Sequence, residues 1–385
     1  MTIGTIIIFL VVLAVLIFVH EFGHFVAAKS FGIRVDAFKI GFGPKVFAWR
    51  MKGKDGKLSE TEYGLNWIPF GGYVKIFGED PNAENTSGPD AARSFVHKPR
   101  WQQAIVLAAG VLMNFIFAWI LYIVVFSIGA TAVPSDFPQY ANRFSDERIL
   151  ITGVMPGSPA EKAGLKMGDV INEVKAPVGG SGADLVAGTP AFTTENIQGV
   201  IDSASNGSVT MLYTRGGQSE SSDVTPLSGI VPGKLAIGIA MSDAATLRLP
   251  FFSAVKESVP YTYQMLKETV VGLYRFVASA FQGTFSLSQV SGPVGIAVDT
   301  GYALELGFSS LLMFVALISI NLGVVNLIPF PALDGGRILF VGLEAIFRRR
   351  IPAAVANTLN VIGFALLMLL MVVVTWGDVA KLITK

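Results

Sequence analysis

Residues Thr2–Val19 carry no charged side chain, and similar uncharged apolar stretches recur at about Ala104–Ile128, Phe308–Ile328 and Val355–Trp376. Each is close to the roughly 20 residues needed to cross a bilayer core. In hydrocarbon a backbone must satisfy its own N–H and C=O groups, so each run is expected to be a membrane-crossing helix. Charged residues make up 15% of the chain, well below the roughly 25% usual for a soluble domain. A secretory signal is the rival reading of the first run. It lacks a positive n-region, and the run ends in charged residues rather than a small-residue cleavage site.

Of the 29 basic residues, 12 fall between Lys29 and Arg100, and Arg348, Arg349 and Arg350 precede the last run. By the positive-inside rule those loops are cytoplasmic. Four spans then place both termini, and the long segment between the second and third spans, on the outer side. The net charge of +1 gives no reason to expect a nucleic-acid partner. With no cysteine in the chain, any zinc would have to be held by nitrogen and oxygen.

The first run ends in His20-Glu21-Phe22-Gly23-His24, which contains two of the chain's three histidines. Helical residues four apart share a face, so both imidazoles can ligate one metal ion, and Glu21 can take a proton from an attacking water. A glutamate this deep in a span is costly unless it has a function. A catalytic zinc wants a third protein ligand. His97 lies in a basic linker and reads as a surface histidine. Asp334 follows the third span in Asn326-Leu327-Ile328-Pro329-Phe330-Pro331-Ala332-Leu333-Asp334-Gly335-Gly336. The prolines force the helix to unwind there. From local pattern, Asp334 is equally a ligand or the cap of a following helix.

Between these motifs the chain changes character. Residues 29–78 read as glycine-punctuated strands at Val35–Ile40, Lys45–Arg50 and Tyr63–Ile76, a small sheet dipping into the membrane surface or an ordinary hairpin. Residues 79–100 read as a polar cytoplasmic linker. Residues 143–245 form an α+β domain with strands at Ile149–Met155, Ser208–Thr214, Ser219–Thr225 and Leu235–Met241, a helix near Thr194–Ser205, and a loop over Val178–Pro190. Residues 250–285 are amphipathic, expected as one or two helices at the membrane surface.

Together the zinc-type motif, Gly41-Phe42-Gly43, the Asn-x-x-Pro-x-Pro-x-Leu-Asp-Gly-Gly string and the order of spans resemble the site-2 protease family of intramembrane zinc metalloproteases. The likeness is to bacterial members with outer PDZ domains and covers nearly the whole chain. It implies a polytopic α-helical membrane protein with four transmembrane helices (in segments 1–28, 101–128, 306–336 with the Leu-Asp-Gly motif, and 353–377), a membrane-associated β-hairpin and one extracytoplasmic PDZ domain. It implies Zn2+ on His20, His24 and Asp334, with Glu21 as general base. Asn326 and Pro329 fall on substrate-handling positions, and Gly41, Gly43 and Ile68–Tyr73 on the hairpin that holds substrate extended. Ser291–Ile296 also matches a family string. The run Gly157–Ile171 resembles a bacterial PDZ domain, whose peptide groove would lie between the Ile149–Met155 strand and the Thr194–Ser205 helix. The best-known Gram-negative relatives have tandem PDZ domains where this chain has sequence for one, and relatives commonly have proline at the place of Val111.

The resemblance further implies a bacterial cytoplasmic (inner) membrane, with the zinc site toward the cytoplasmic side. Substrates would be single-span proteins, such as pre-trimmed anti-sigma factors or signal-peptide remnants, with the PDZ domain binding peptide or filtering by size. The alternative is a non-catalytic membrane-anchored PDZ adaptor, which leaves Glu21 and Asp334 unexplained. A metal transporter would need polar residues along several spans, and the second and fourth have almost none.

Overall fold

The computed structural model describes residues 2–52, 58–79, 83–177, 183–204, 207–283 and 291–383. In chain order the regular elements are α1 (Ile3–Ser30), β1 (Val35–Lys52), β2 (Leu58–Ile76), α2 (Ala83–Ser87) and α3 (Arg100–Ile128). Then follow β3 (Ala130–Ala132), β4 (Phe144–Val154), α4 (Pro159–Lys162), β5 (Val170–Lys175), β6 (Leu185–Val186) and α5 (Thr194–Ser203). Next are β7 (Val209–Arg215), β8 (Gln218–Val224), β9 (Leu227–Val231), β10 (Lys234–Ala236) and β11 (Ile239–Leu247). The chain closes with α6 (Phe251–Phe281), α7 (Pro293–Glu305), α8 (Phe308–Leu327), α9 (Asp334–Phe347) and α10 (Ala353–Ile383). They divide into two compact units, one of residues 1–122, 255–301 and 312–385, the other of 123–254 and 302–311.

Four helices of the described residues are long and apolar enough to cross a membrane: Ile3–Ser30, Arg100–Ile128, Phe308–Leu327 and Ala354–Ala380. In α1, Ile3, Ile7, Val11, Val15, Phe18, Phe22 and Val26 form one exposed stripe of large side chains, while His20, Gly23, His24 and Ala28 are buried. Apolar groups outside and small or polar groups inside is the pattern expected of a helix whose solvent is hydrocarbon.

Within the first unit, β1 and β2 are each bent back on themselves. Phe38 pairs with both Val74 and Tyr63, while Trp49 also pairs with Tyr63, giving four adjacent runs in the order 45–52, 58–66, 35–42, 72–76. The bend is made by Gly41 and Gly43, both left-handed at φ +83° and +84°, and a Cβ on Gly41 would lie 2.6 Å from the Ile68 carbonyl oxygen. Ile33, Val35, Phe38, Val74 and Ile76 pack with Ala28, Phe95, Val106 and Leu107, so the sheet is anchored on α1 and α3.

The second unit is organised around a seven-stranded antiparallel sheet in the order β3-β11-β4-β5-β7-β8, with β6 pairing to β5. Ile149, Ile151, Ile171, Val174, Ile197, Val209 and Met211 form its core, each no more than 2% exposed. Buried Asp169 accepts from Arg215 Nε and Nη2 at 2.7 and 2.6 Å and from the Lys166 amide at 2.8 Å. A groove of about 640 Å³ lies between α5 and the chain over Leu235–Met241, with Gly153–Met155 also lining it.

Several expected boundaries shift. The strand expected at Leu235–Met241 breaks at Gly238 (φ +83°), and its second part runs on to Leu247 beside β4. The groove therefore has β11 as well as β4 on its strand side. The amphipathic stretch is one helix of 31 residues containing Pro260; Tyr261 meets Tyr122 of α3 edge-on and Thr269 donates to Asn321 of α8, so it packs against two of the long helices. Segment 306–336 holds the third span and the motif after it: α8 stops at Leu327, before the prolines, and α9 is a separate helix from Asp334 that continues to Phe347. The linker is not simply open chain, because it holds α2 and two short 3-10 turns, with Phe95 buried and Arg34 bonded to Asp90. Residues 80–82 of that linker, 178–182 of the expected loop and 284–285 of the amphipathic stretch lie outside the described residues.

Candidate metal centre

His20 and His24 arise from α1, and Asp334 from the first turn of α9, 310 residues after His24. The turn between α8 and α9 carries Asp334 to them. Gly335 and Gly336 lie so close to this turn that a Cβ on either would fall 2.3 or 2.2 Å from the carbonyl oxygens of Leu327 and Ile328, or of Phe330. Ala332 takes φ +74°, and its amide donates to Asn360 Oδ1 of α10 at 3.2 Å. Asp334 does not cap α9; the N-cap position is Leu333, which makes no side-chain cap bond.

The three side chains converge on one point. Asp334 Oδ2 lies 3.0 Å from His20 Nε2 and 3.3 Å from His24 Nε2, and the two Nε2 atoms are 3.3 Å apart. Tetrahedral ligands about 2.0–2.1 Å from a zinc ion are about 3.3–3.4 Å from one another, so these separations fit a zinc. Asp334 Oδ2 is buried and has no hydrogen-bond partner. Two nitrogens and an orphaned carboxylate oxygen facing one another are the donor set a cation would satisfy. Among the described residues, this is the only group of three or more such side chains close enough to hold a metal.

The remaining candidates are distributed around this point. Glu21 is half-buried, and its Oε2 accepts from the Val74 amide at 2.9 Å, which ties it to the edge run 72–76 of the hairpin. A Cβ on Gly72 would lie 2.9 Å from Ile17 and 3.5 Å from Glu21 Cγ, so this run can approach α1 only as glycine allows. Gly41 and Gly43 lie in the hairpin's bend opposite Asn66–Ile68 rather than on that edge. Asn326 is half-buried one residue before the end of α8, and Pro329 is exposed in the turn beyond it. His97 is exposed and bonds to the Ala91 carbonyl oxygen at 2.7 Å, outside the cluster.

The sequence reading passes over three residues of α3 at this site. Val106, Gly110 and Asn114, at i, i+4 and i+8, present one face to the imidazoles. The Val106 carbonyl oxygen lies 2.8 Å from His24 Nδ1, and Asn114 lies 3.1 Å from His20 Nδ1. Between them, a Cβ on Gly110 would come within 2.4 Å of His24 Nε2 and 2.8 Å of His20 Cε1. The crossing is as tight from the other side, where a Cβ on Gly23 would be 2.3 Å from the Ala109 carbonyl oxygen. The available signal was an asparagine four residues after a glycine in an otherwise apolar span.

The sequence profile described as peptidase family M50 matches residues 8–370. A Clostridium perfringens relative is 34% identical over 374 residues, covering 96% of this chain and 97% of its own length. The zinc metalloprotease RasP of Geobacillus kaustophilus is 30% identical and covers 99% of each chain. The regulator of sigma-W protease RasP of Bacillus subtilis is also 30% identical, over 99% of this chain and 100% of its own.

Proposed function

We propose that this chain, which belongs to peptidase family M50 and is an intramembrane zinc metalloprotease, holds its zinc through His20, His24 and Asp334 and uses Glu21 as general base. The convergence of His20 Nε2, His24 Nε2 and the orphaned Asp334 Oδ2 carries this reading. The adaptor alternative falls with the family membership.

The bound zinc supplies Lewis acidity to the scissile carbonyl and the attacking water. Everything else is asked of the chain's own side chains. Val74 N–H holds Glu21 Oε2, which leaves Oε1 to take the proton from water and deliver it to the leaving amine. A transmembrane helix buries its peptide groups in internal bonds, so the substrate has to be unwound first. An extended substrate would run beside the hairpin, whose edge at Val74 borders α1, with Gly41 and Gly43 keeping the sheet bent. Asn326, which makes no side-chain hydrogen bond among the described residues, would bond the freed substrate backbone near Pro329.

Substrates are then single-span membrane proteins, such as trimmed anti-sigma factors or signal-peptide remnants. The second unit is a PDZ domain, outside the cytoplasmic membrane with both termini. Its groove beside α5 would take a peptide end, or the domain would exclude untrimmed proteins by size. Support for the PDZ assignment comes from the Gly-Ser-Pro-Ala-Glu-Lys-Ala-Gly-Leu-Lys-Met-Gly-Asp-Val-Ile run and the groove between helix and strand.

Metal analysis with Glu21→Gln tests the catalytic assignment. Zinc should be retained while cleavage of a model single-span substrate falls by about 10²–10⁴-fold; cleavage that survives would remove Glu21 as base. Deleting residues 145–241 should permit cleavage of untrimmed substrates, and unchanged selectivity would count against the filter. The chain has no cysteine of its own, so single introduced cysteines in residues 83–100 and in β8 can be probed with a membrane-impermeant thiol reagent. Labelling of the first set from the outside would reverse the proposed orientation.

A further inference from the structure

Asn114 is fully buried in a long apolar helix, within hydrogen-bond distance of a metal-facing histidine and with one end of its amide unused. Its Nδ2 lies 3.1 Å from His20 Nδ1, and its Oδ1 is buried without a hydrogen-bond partner. That arrangement has a chemical consequence. An asparagine amide offers a donor at Nδ2 and an acceptor at Oδ1 in nearly the same shape, so it can meet either tautomer of the His20 ring at Nδ1. A ring protonated on Nε2 cannot give that nitrogen to a metal. Because Nε2 is the atom directed at Asp334 and His24, ligation requires the ring hydrogen on Nδ1 and an acceptor facing it.

The other histidine meets main chain instead. His24 Nδ1 lies 2.8 Å from the Val106 carbonyl oxygen, which can only accept. His24 therefore carries its hydrogen on Nδ1 and offers a bare Nε2. One ligand is set in the metal-binding tautomer by the α3 backbone, whereas the other is governed by a side chain that can either donate or accept.

We propose that Asn114 is the positioning residue that sets the tautomer of His20: its Oδ1 accepts the His20 Nδ1–H and so leaves Nε2 free to ligate. This rests on the ligand set proposed above. The two ends of an asparagine amide have nearly the same shape, so Oδ1 fits against His20 Nδ1 at the distance found there. The main chain at this position is held independently of the amide, because Ser319 Oγ of α8 donates to the Asn114 carbonyl oxygen at 2.9 Å. Partners of this kind fix ring orientation and raise ligand basicity, and their loss typically weakens metal binding about 10- to 100-fold.

Zinc affinity, measured by chelator competition on the full-length protein in detergent, tests the proposal. Asn114→Leu removes the acceptor at similar volume and should weaken zinc about 10- to 100-fold. Asn114→Asp keeps an acceptor, now unable to donate, and should bind zinc at least as tightly as the wild type. Unchanged affinity in Asn114→Leu, or an equal loss in both variants, overturns the assignment. Should Asn114→Leu fail to fold, the wild type still decides. Zinc-loaded protein labelled with 15N at histidine should show a His20 Nδ1–H resonance protected from exchange and hydrogen-bonded to a side-chain amide. An Nδ1–H in free exchange with water overturns it too. His24→Ala, measured alongside, separates the two readings: retention of zinc there would sink the ligand set itself, while its loss together with wild-type affinity in Asn114→Leu would sink only the role of Asn114.

Discussion

The two units of this chain solve opposite packing problems. In the second, Ile149, Ile151, Ile171 and Met211 lie inside a sheet core, and the buried carboxylate of Asp169 is hydrogen-bonded by Arg215 and the Lys166 amide. In the first, a stripe of large apolar side chains on α1 points outward, and polar His20, His24, Asn114 and Ser319 are buried beside apolar residues such as Leu16 and Val106. Burial of apolar area stabilises the sheet unit. Hydrocarbon gives packed helices no such advantage, so close backbone approach and interhelical hydrogen bonds such as Ser319 Oγ to the Asn114 carbonyl oxygen must help hold the first unit together. The glycines make the contrast concrete. Gly110 and Gly23 are where α1 and α3 nearly touch, whereas a Cβ on Gly199, in the middle of α5, would meet nothing within 4 Å.

Substituting those glycines is the most direct way to break the contrast. Gly110→Ala drives a methyl group toward both imidazoles, and zinc binding should fall by more than about 100-fold, at a cost of roughly 1–3 kcal/mol in packing strain. A chelator titration indistinguishable from wild type would show that the helices can part without disturbing the ligands. In the sheet unit, Arg215→Met strands the buried Asp169 carboxylate and should destabilise that unit by about 3–5 kcal/mol. Zinc content should stay unchanged; calorimetry and metal analysis on one sample read both, and a loss of zinc would show that the units are not separable in this way.

Gly199→Ala should have the opposite sign, stabilising the sheet unit by about 0.4–1 kcal/mol through a less disordered unfolded chain. A lower melting temperature would mean α5 needs the glycine. The smallest effect concerns the hairpin. Bonds from Lys39 Nζ at 2.5 Å and Lys45 Nζ at 2.8 Å hold the Glu62 carboxyl down at about 2. A depressed carboxylate contributes stability that is complete above about pH 4.5 and lost as pH falls toward about 2. The melting difference between wild type and Glu62→Gln should shrink over that window, and a difference independent of pH would exclude the ion pair as its source.

Legibility in the sequence followed range. Chemistry carried by neighbours in the chain could be read directly: the i, i+4 histidines, the uncharged runs, and the prolines that end α8 at Leu327. Asp334 remained ambiguous because a capping aspartate and a ligand look alike locally, and only the Leu333 cap and the two imidazoles separate them. The strands of residues 35–76 were visible as β-structure, but their double pairing was not, since it depends on how each strand bends at its glycines. Gly238 hid the turn inside an apparent single strand in the same way. The role of Asn114 was not legible from its neighbours, because it depends on a histidine 94 residues earlier.

By itself, then, the sequence determined that this protein lives in a membrane, that its zinc must be held by nitrogen and oxygen, and which helix carries two of the candidate ligands. Hydrophobic run length, absent cysteines and helical periodicity are local properties, and no folding is needed to read them. Only the tertiary structure decided that Asp334 meets His20 and His24 and that Glu21 is tied to the hairpin edge at Val74. It also decided that α3 presents a carbonyl, a gap and an amide to two imidazoles. Those are contacts of a few ångströms between groups tens or hundreds of residues apart, and they exist only once the backbones have packed as closely as their glycines permit.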